Sequence, residues 1–501
     1  MTEPRRPTAS DPAVASELEA AGTIWRTRDL WLLLGITVVG AALRLFHVEQ
    51  WSLSAAEAET WRSVTLPFDG SAGFFASEAS RYPLVFVTLR WLFEVGILPA
   101  QGEGWLRLPF VFVGMLVVPL FALVASRIVA RTTALVAAAL LAIHPWHTAM
   151  SQTAVAQGVA LFFALAALAV VPGSMAAARS RWCSFLLFVI LAGVCHPIGW
   201  LTGLVVALVV SCSRWPAASR RGRAGIAVAC GLLLVVPVWW ASAHAPASSA
   251  SGPFVGWLGS ALLRARVPLV LCSLAGLLLA RPWPWQLACG VAVPGCVLAF
   301  VAAVGGPVDV DHLVLVLPPL LLLAVAAGLR CLALVRAFVG GSKPGALVAG
   351  ALVPLSLGFS LAVDTFLQIT FQQGQRAPWR AAKDAALNTV AGRPGLLVGA
   401  GAGAPILTCY LRPNHWRDPS RDAHPGIGVR ELAPDRFAAA TAELGADPGG
   451  GSVVLVLRYD ELQLLTAQPD CLRAFQLVQV LTCSLEARDE TLYVFHRVAA
   501  R

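Results

Sequence analysis

The sequence predicts a polytopic α-helical membrane protein with a small soluble α/β domain at its carboxyl end, and three observations carry that reading. Of 501 residues, 57% are hydrophobic and only 13% charged, against about 25% charged in ordinary soluble domains. The arginines fall in short clusters between apolar runs, the distribution that sets topology by keeping basic loops in the cytoplasm. Beyond residue 363 the long apolar runs stop, and short β-like runs alternate with helix-like stretches. No basic stripe with interleaved aromatics occurs, so the net charge of +9 does not signal nucleic acid.

Residues 1–28 are polar, contain Pro4, Pro7 and Pro12, and end with Arg26 and Arg28. They read as a disordered cytoplasmic tail. A cleavable signal peptide does not fit, because the apolar run that follows is long and lacks a small-residue cleavage site. That run, Leu30 to Phe46, is long enough to cross a hydrocarbon core of about 30 Å. It delivers a first outer loop, residues 48–104, to the far side. Within the loop, Leu84 to Leu98 is apolar but short for a span and carries Arg90 and Glu94 four residues apart, which reads as an amphipathic helix lying in the interface.

The same charge logic orders the remaining spans. Leu106 to Ala125 runs inward to Arg127 and Arg131, and Ala134 to Ile143 returns outward to the polar rim HPWHTAMSQ, His144 to Gln152. Ala154 to Val171, Cys183 to Cys195, Ile198 to Val210 and Ile226 to Trp240 follow, then Val267 to Ala280, Leu287 to Val304, Val314 to Leu329 and Leu347 to Val363. About eleven spans then place every arginine-rich loop inside, the amino terminus in the cytoplasm and the carboxyl terminus outside. A multi-pass protein of the inner (plasma) membrane, with its membrane domain over residues 29–363, is the expectation.

Residues 364–501 read as an extracytoplasmic α/β domain, with strands at Gly395–Ala400, Ser452–Tyr459 and Thr491–Val498 and helices at Trp379–Val390 and Pro434–Leu444. The glycines of GAGAGAP, Gly399 to Pro405, lack the spacing and the following acidic residue of a dinucleotide loop, so a tight turn is the reading. The eleven cysteines are mostly scattered singly; Cys471 and Cys483 could pair in an oxidising compartment, leaving Cys409. No His/Cys cluster has zinc spacing, and no metal or cofactor is signalled.

Ionisable groups against a membrane are costly and are functional candidates by default. Here Glu57, Glu59, Asp69, Glu78, Arg81, His144, His147, His196, Asp309, Asp311 and His312 all fall at outer ends of spans or in outer loops. A site at the outer interface is therefore expected, although a residue near a span end can also be merely solvated. Glu57 stands out because its flanks are apolar.

The order of motifs resembles a known family. Leu43-Arg44-Leu45 in the first span precedes the SLSAAEA stretch and the YPL-containing helix ending at Gly96. WLRLP (Trp105 to Pro109), the HPWHTAMSQ rim, the proline-rich span Leu317 to Leu323 and the PWR-AA start at Pro378 to Ala382 follow. The chain resembles, over essentially its whole length, the GT-C glycosyltransferases of the protein-mannosyltransferase type, glycosyltransferase family 39 and its bacterial relatives. That resemblance implies transfer of a sugar from a polyprenyl-phosphate donor to an acceptor (protein, lipid or polysaccharide) on the outer face, by inverting displacement and without a metal. A carboxylate must take the acceptor's proton, and cations must receive the charge of the leaving phosphate. In such families an Asp-Glu pair opens the first outer loop; here it reads Ala56-Glu57, which leaves Glu57, or Glu59 two residues on, as the catalytic carboxylate. Arg81 and Tyr82, Arg107 and His312 are the expected donor-phosphate contacts, and His144, His147, Gln152 and His196 the expected substrate contacts. Loss of the aspartate equally admits a catalytically degenerate member that serves as a binding or assembly subunit in cell-envelope glycan synthesis. A transporter is disfavoured because the span centres are Leu, Val and Ala and no internal repeat is visible.

Overall fold

A computed structural model describes residues 25–65, 82–98, 103–171, 179–206, 254–279, 285–303, 310–338, 343–370, 376–390, 394–400, 403–411, 426–432, 437–446, 452–466, 472–483 and 491–497. The expected span Ile226–Trp240, together with Asp69, Glu78, Arg81, Asp309 and Cys471, lies outside the described residues. Two compact units divide the chain. One comprises residues 1–44, 111–151 and 156–365; the other comprises residues 45–110, 152–155 and 366–501.

The first unit is helical. Its elements are most of α1 (Thr27–Leu45), most of α4 (Glu103–Ala125), α5 (Arg131–Ala142), α6 (Pro145–Ser151), α7 (Ala156–Val170), α8 (Arg179–Cys195), α9 (Phe254–Ala265), α10 (Val267–Leu279), α11 (Trp285–Ala303), α12 (Leu317–Phe338) and most of α13 (Lys343–Thr370). Among the described residues, two helical segments are long and apolar enough to cross a membrane, Glu103–Ala125 and Asp311–Cys331, or four if each of two bent pairs counts as one span. The multi-pass membrane architecture therefore stands, while the count of about eleven is not reached among these residues. Several helices are short because the chain breaks them. α5 and α6 bend by 62° at His144, where Pro145 opens α6 and has no N–H to continue the preceding helix. α9 and α10 bend by 81° at Arg266, whose φ of +67° is left-handed backbone outside the helical region. The helix α9 itself was not anticipated from the sequence. α10 packs closely on α12, where a Cβ on Gly276 would run into the Leu323 carbonyl.

The second unit joins the loop after α1, within residues 45–110, to the carboxyl-terminal domain. The loop contributes α2 (Ala55–Thr65), α3 (Pro83–Glu94) and the first turns of α4. At 12 residues α3 spans about 18 Å, too short to cross. It buries Val85, Phe86, Leu89 and Phe93, exposes Val87 and Trp91, and carries the Arg90–Glu94 ion pair at 2.8 Å. The domain proper runs α14 (Trp379–Val390), β1 (Gly395–Ala400), α15 (Gly403–Leu411), β2 (Ile427–Leu432), α16 (Phe437–Ala446), β3 (Ser452–Arg458), α17 (Tyr459–Thr466), β4 (Phe475–Leu481) and β5 (Leu492–Arg497). Its sheet has the order β2-β1-β3-β5-β4. The first three strands are parallel and β5 and β4 antiparallel. β3 is central, its residues Val453 to Leu457 all buried, as a strand covered on both faces requires. Gly403, the first residue of α15, serves packing: a Cβ there would lie 2.6 Å from the Trp379 ring of α14.

Candidate functional site

Glu57 lies in the first turn of α2 and is fully buried. Its local reason is a capping box: the Ser54 N–H donates to Glu57 Oε2 at 2.9 Å, and the Glu57 N–H donates to Ser54 Oγ at 3.3 Å. The pattern Ser54-x-x-Glu57 satisfies two of the otherwise orphaned donors at the helix start. The carboxylate does more than cap. Arg107, from the first turns of α4, donates through Nε to Oε1 at 2.7 Å and through Nη2 to Oε2 at 3.1 Å. Oε1 also accepts from Ala154 N at 3.2 Å and Arg376 Nη2 at 3.3 Å. Five donors thus meet one carboxylate, which offers about four lone-pair sites.

Arg107 is equally engaged. Its remaining contacts run from Nη1 to the carbonyls of Val48 (2.6 Å) and Trp51 (3.0 Å), and from Nη2 to that of Ser52 (3.0 Å). A guanidinium has five N–H donors, and all five are directed at acceptors that pin the entry to the first outer loop. Arg376 precedes α14. Its Nη2 also reaches Gln152 O at 3.2 Å and Thr153 Oγ1 at 2.7 Å, and its guanidinium lies over the Trp51 ring, 5.3 Å from the centroid. Its Nη1 is buried and has no hydrogen-bond partner among the described residues.

One carboxylate between two guanidiniums leaves this buried cluster with a net positive charge. Burial alone would raise the Glu57 carboxyl, but the charges of Arg107 and then Arg376, with the hydrogen bonds, outweigh it and hold it at about 2. Arg376 is pushed down to about 9 by burial and by the neighbouring Arg107, partly offset by Glu57. Such a cluster suits an anion. Glu57 itself, ionised and fully coordinated, is poorly placed to accept a further proton.

Glu59 sits about 200° further round α2 and is partly exposed. It faces Cys409 of α15, whose thiol is pushed up to about 12 by burial first and by Glu59 second. Cys483 Sγ donates to Arg376 O at 3.4 Å. Gln152 is buried and donates from Nε2 to Phe46 O at 3.1 Å. Tyr82 caps the start of α3, its ring 5.8 Å from that of Phe86.

The expected histidines gather in the first unit. His144 and His196 each precede a proline and each accept, through Nδ1 at 3.2 Å, the N–H of the residue two positions on, Trp146 and Ile198. An accepting Nδ1 puts the proton on Nε2. His147 Nδ1 meets Arg44 Nη2, and the ring of His312 lies 4.9 Å from that of His196. Trp146 Nε1 donates to Asp311 Oδ1 at 2.9 Å. The structure therefore brings Glu57, Arg107 and Gln152 together in one unit and places the four histidines in the other, where the His196 and His312 rings meet. Arg376 was missed by sequence reading. It is the first of two arginines in GQRAPWR, and no spacing ties it to Glu57 319 positions away. Among the described residues no group of three or more His, Cys, Asp or Glu side chains could hold a metal.

No family model matches the chain, and no curated protein matches it. Solved structures do. ArnT from Cupriavidus metallidurans bound to undecaprenyl phosphate aligns with a TM-score of 0.52 at 15% identity, over 95% of this chain and 99% of that one. The oligosaccharyltransferase AglB from Archaeoglobus fulgidus, in complex with an inhibitory peptide and a dolichol-phosphate, aligns with a TM-score of 0.52 at 11% identity, over 93% and 74% of the two chains. At these identities the likeness is one of fold alone: this chain shares the fold of those two structures.

Proposed function

We propose that this protein is a membrane glycosyltransferase that moves a sugar from a polyprenyl-phosphate donor to an acceptor on the outer face of the membrane. The observation that carries the reading is the alignment over 95% of this chain with a protein whose structure holds undecaprenyl phosphate. The protein-mannosyltransferase type is the branch its motifs support, and an amino terminus inside with the carboxyl-terminal domain outside is the orientation its arginines support.

In the inverting displacement, the acceptor oxygen bonds to the anomeric carbon as the bond from that carbon to the phosphate oxygen breaks. The acceptor proton passes to a carboxylate, and the electron pair leaves with the polyprenyl phosphate. Arg376, with a buried Nη1 donor to spare, is our choice to receive the phosphate, beside Arg81 and Tyr82. Arg107 positions it by holding Glu57. Of the two carboxylates, Glu57 orients the arginines, and Glu59 carries the base role unless substrate binding draws donors away from Glu57. His312 remains a candidate donor-phosphate contact, and His144, His147, Gln152 and His196 remain the candidate contacts for the rest of the substrates.

A second reading has its own observation. Ala56 stands where the resembling family carries aspartate, and Glu57 is bound by five donors, which favours a member that kept the fold and serves as a binding or assembly subunit. The deciding experiment measures release of polyprenyl phosphate from a panel of polyprenyl-phosphate sugars by the purified protein, beside its Glu59→Gln and Glu57→Gln variants. Turnover that falls by about 10²- to 10⁴-fold in a variant identifies the base. Donor binding without turnover across the panel sinks the transferase reading in favour of the subunit.

A further inference from the structure

The first unit contains a cleft of about 650 Å³, within the roughly 300–1,000 Å³ of ordinary ligand pockets. α4, α7, α11, α12 and the helical stretch 200–206 wall it, with Phe121, Leu165, Val206, Pro294 and Leu322 among the lining side chains. Of its 19 lining residues the polar ones are Arg127, Arg181 and Thr202. Arg127 lies just beyond the carboxyl end of α4, and Arg181 lies in the first turn of α8. A hydrocarbon-lined space bordered by two exposed guanidiniums suits an amphiphile with an apolar chain and an anionic head.

The position of Arg181 strengthens the charge argument. The first turn of α8 holds Arg179 and Arg181 and no acidic residue, although the positive end of a helix dipole disfavours cations. An anion there is attracted by Arg181 and by the helix terminus. On the arginine distribution read from the sequence this end faces the cytoplasm, where anionic lipids draw basic groups to the membrane surface.

We propose that the cleft holds an anionic phospholipid of the cytoplasmic leaflet, with one acyl chain packed between α7, α11 and α12 and its phosphate between Arg127 and Arg181. The occupant is a resident lipid. It is distinct from the polyprenyl-phosphate donor, whose chemistry belongs to the outer face, and the proposal stands whether or not the protein transfers a sugar.

The test is native mass spectrometry of the full chain in detergent, titrated separately with phosphatidylglycerol, phosphatidylcholine and undecaprenyl phosphate. We expect one phosphatidylglycerol retained per chain, with a preference over phosphatidylcholine of roughly tenfold or more, lost in the Arg127→Ala/Arg181→Ala double variant. Both residues are exposed, so the variant folds. A phosphatidylglycerol carrying a diazirine in its acyl chain should label residues 161–168 or 318–322. Equal retention of the two phospholipids, retention unaffected by the double variant, or labelling confined to other segments overturns the proposal. Arginine-dependent displacement of phosphatidylglycerol by undecaprenyl phosphate also overturns it, by giving the cleft to the donor.

Discussion

Arg44 in the first unit and Arg107 in the second are both fully buried, and their surroundings differ. Among the contacts between described residues, Arg44 donates to the carbonyls of Gly40 (2.6 Å) and Ala142 (3.0 Å) and to Ser151 Oγ (3.2 Å), and meets His147 Nδ1. Arg107 meets three carbonyls and a carboxylate that itself gathers four further donor contacts beyond the first. Both arrangements satisfy the hydrogen-bonding demand of a buried guanidinium. Only the second strands a charge when one member is removed. The difference separates an arginine that fastens helices within a membrane unit from one that holds a charged cluster together.

The largest effect is expected from breaking that cluster. Arg107→Ala takes away the two Arg107 bonds to Glu57, leaves the longer Arg376 contact as that carboxylate's ion pair, and strips three carbonyls of their donors, a loss of about 3–5 kcal/mol. Thermal unfolding of the detergent-purified variant should show it. Arg107→Lys should not rescue it, because an ammonium cannot reproduce the planar fork. A variant as stable as the parent would show that the comparison overstates the network.

Glu57→Gln should cost on the order of 3 kcal/mol and flatten the acid dependence of stability. The sign follows from the direction of the shift. A carboxyl held at about 2 in the folded protein against 4.5 in the reference state contributes stability that is complete above about 4.5 and is lost as pH falls towards 2. The parent should therefore lose stability across that window and Glu57→Gln should lose less. Identical acid profiles would remove Glu57 from the cluster's electrostatics.

Arg44→Met tests the other side of the comparison. It removes the donors to two carbonyls, Ser151 Oγ and His147 Nδ1 and keeps an apolar body of similar length, so a loss of about 1–3 kcal/mol is expected from the acceptors left unpaired. Arg107→Met should cost more. Equal losses in thermal unfolding would show that the carboxylate is not what distinguishes the two sites.

Sequence reading found the elements whose pattern is local. Trp379–Val390 and Gly395–Ala400 have the structure's own limits, because an amphipathic helix and a buried β-branched or leucine-rich run are written in neighbouring residues. It missed β2 and β4, the two edge strands. β2 carries Arg430 and Glu431 as an edge tolerates, while β4 exposes Leu477 and Val480 at 46% and 41%, so neither shows the alternation of a half-buried strand. At the site, Glu57 was singled out by its apolar flanks, but its burial and coordination were not legible. Arg376 joins it only through tertiary structure. The clue that was available and local is Ser54-x-x-Glu57, a capping box, which already assigns one carboxylate oxygen to the backbone.

That box supplies the smallest and most discriminating change. Ser54→Ala removes the hydroxyl that accepts from the Glu57 N–H but leaves the Ser54 backbone N–H, and hence its bond to Oε2, in place. Loss of an N-cap of this kind costs about 1 kcal/mol. Because the contacts of Arg107 and Arg376 to Glu57 are untouched, the acid dependence of stability should keep the parent's shape while the whole curve drops slightly. Should Ser54→Ala instead flatten that dependence as Glu57→Gln does, the cap would be holding the carboxylate in register for its arginines, and the capping box and the charge cluster would have to be treated as one cooperative unit.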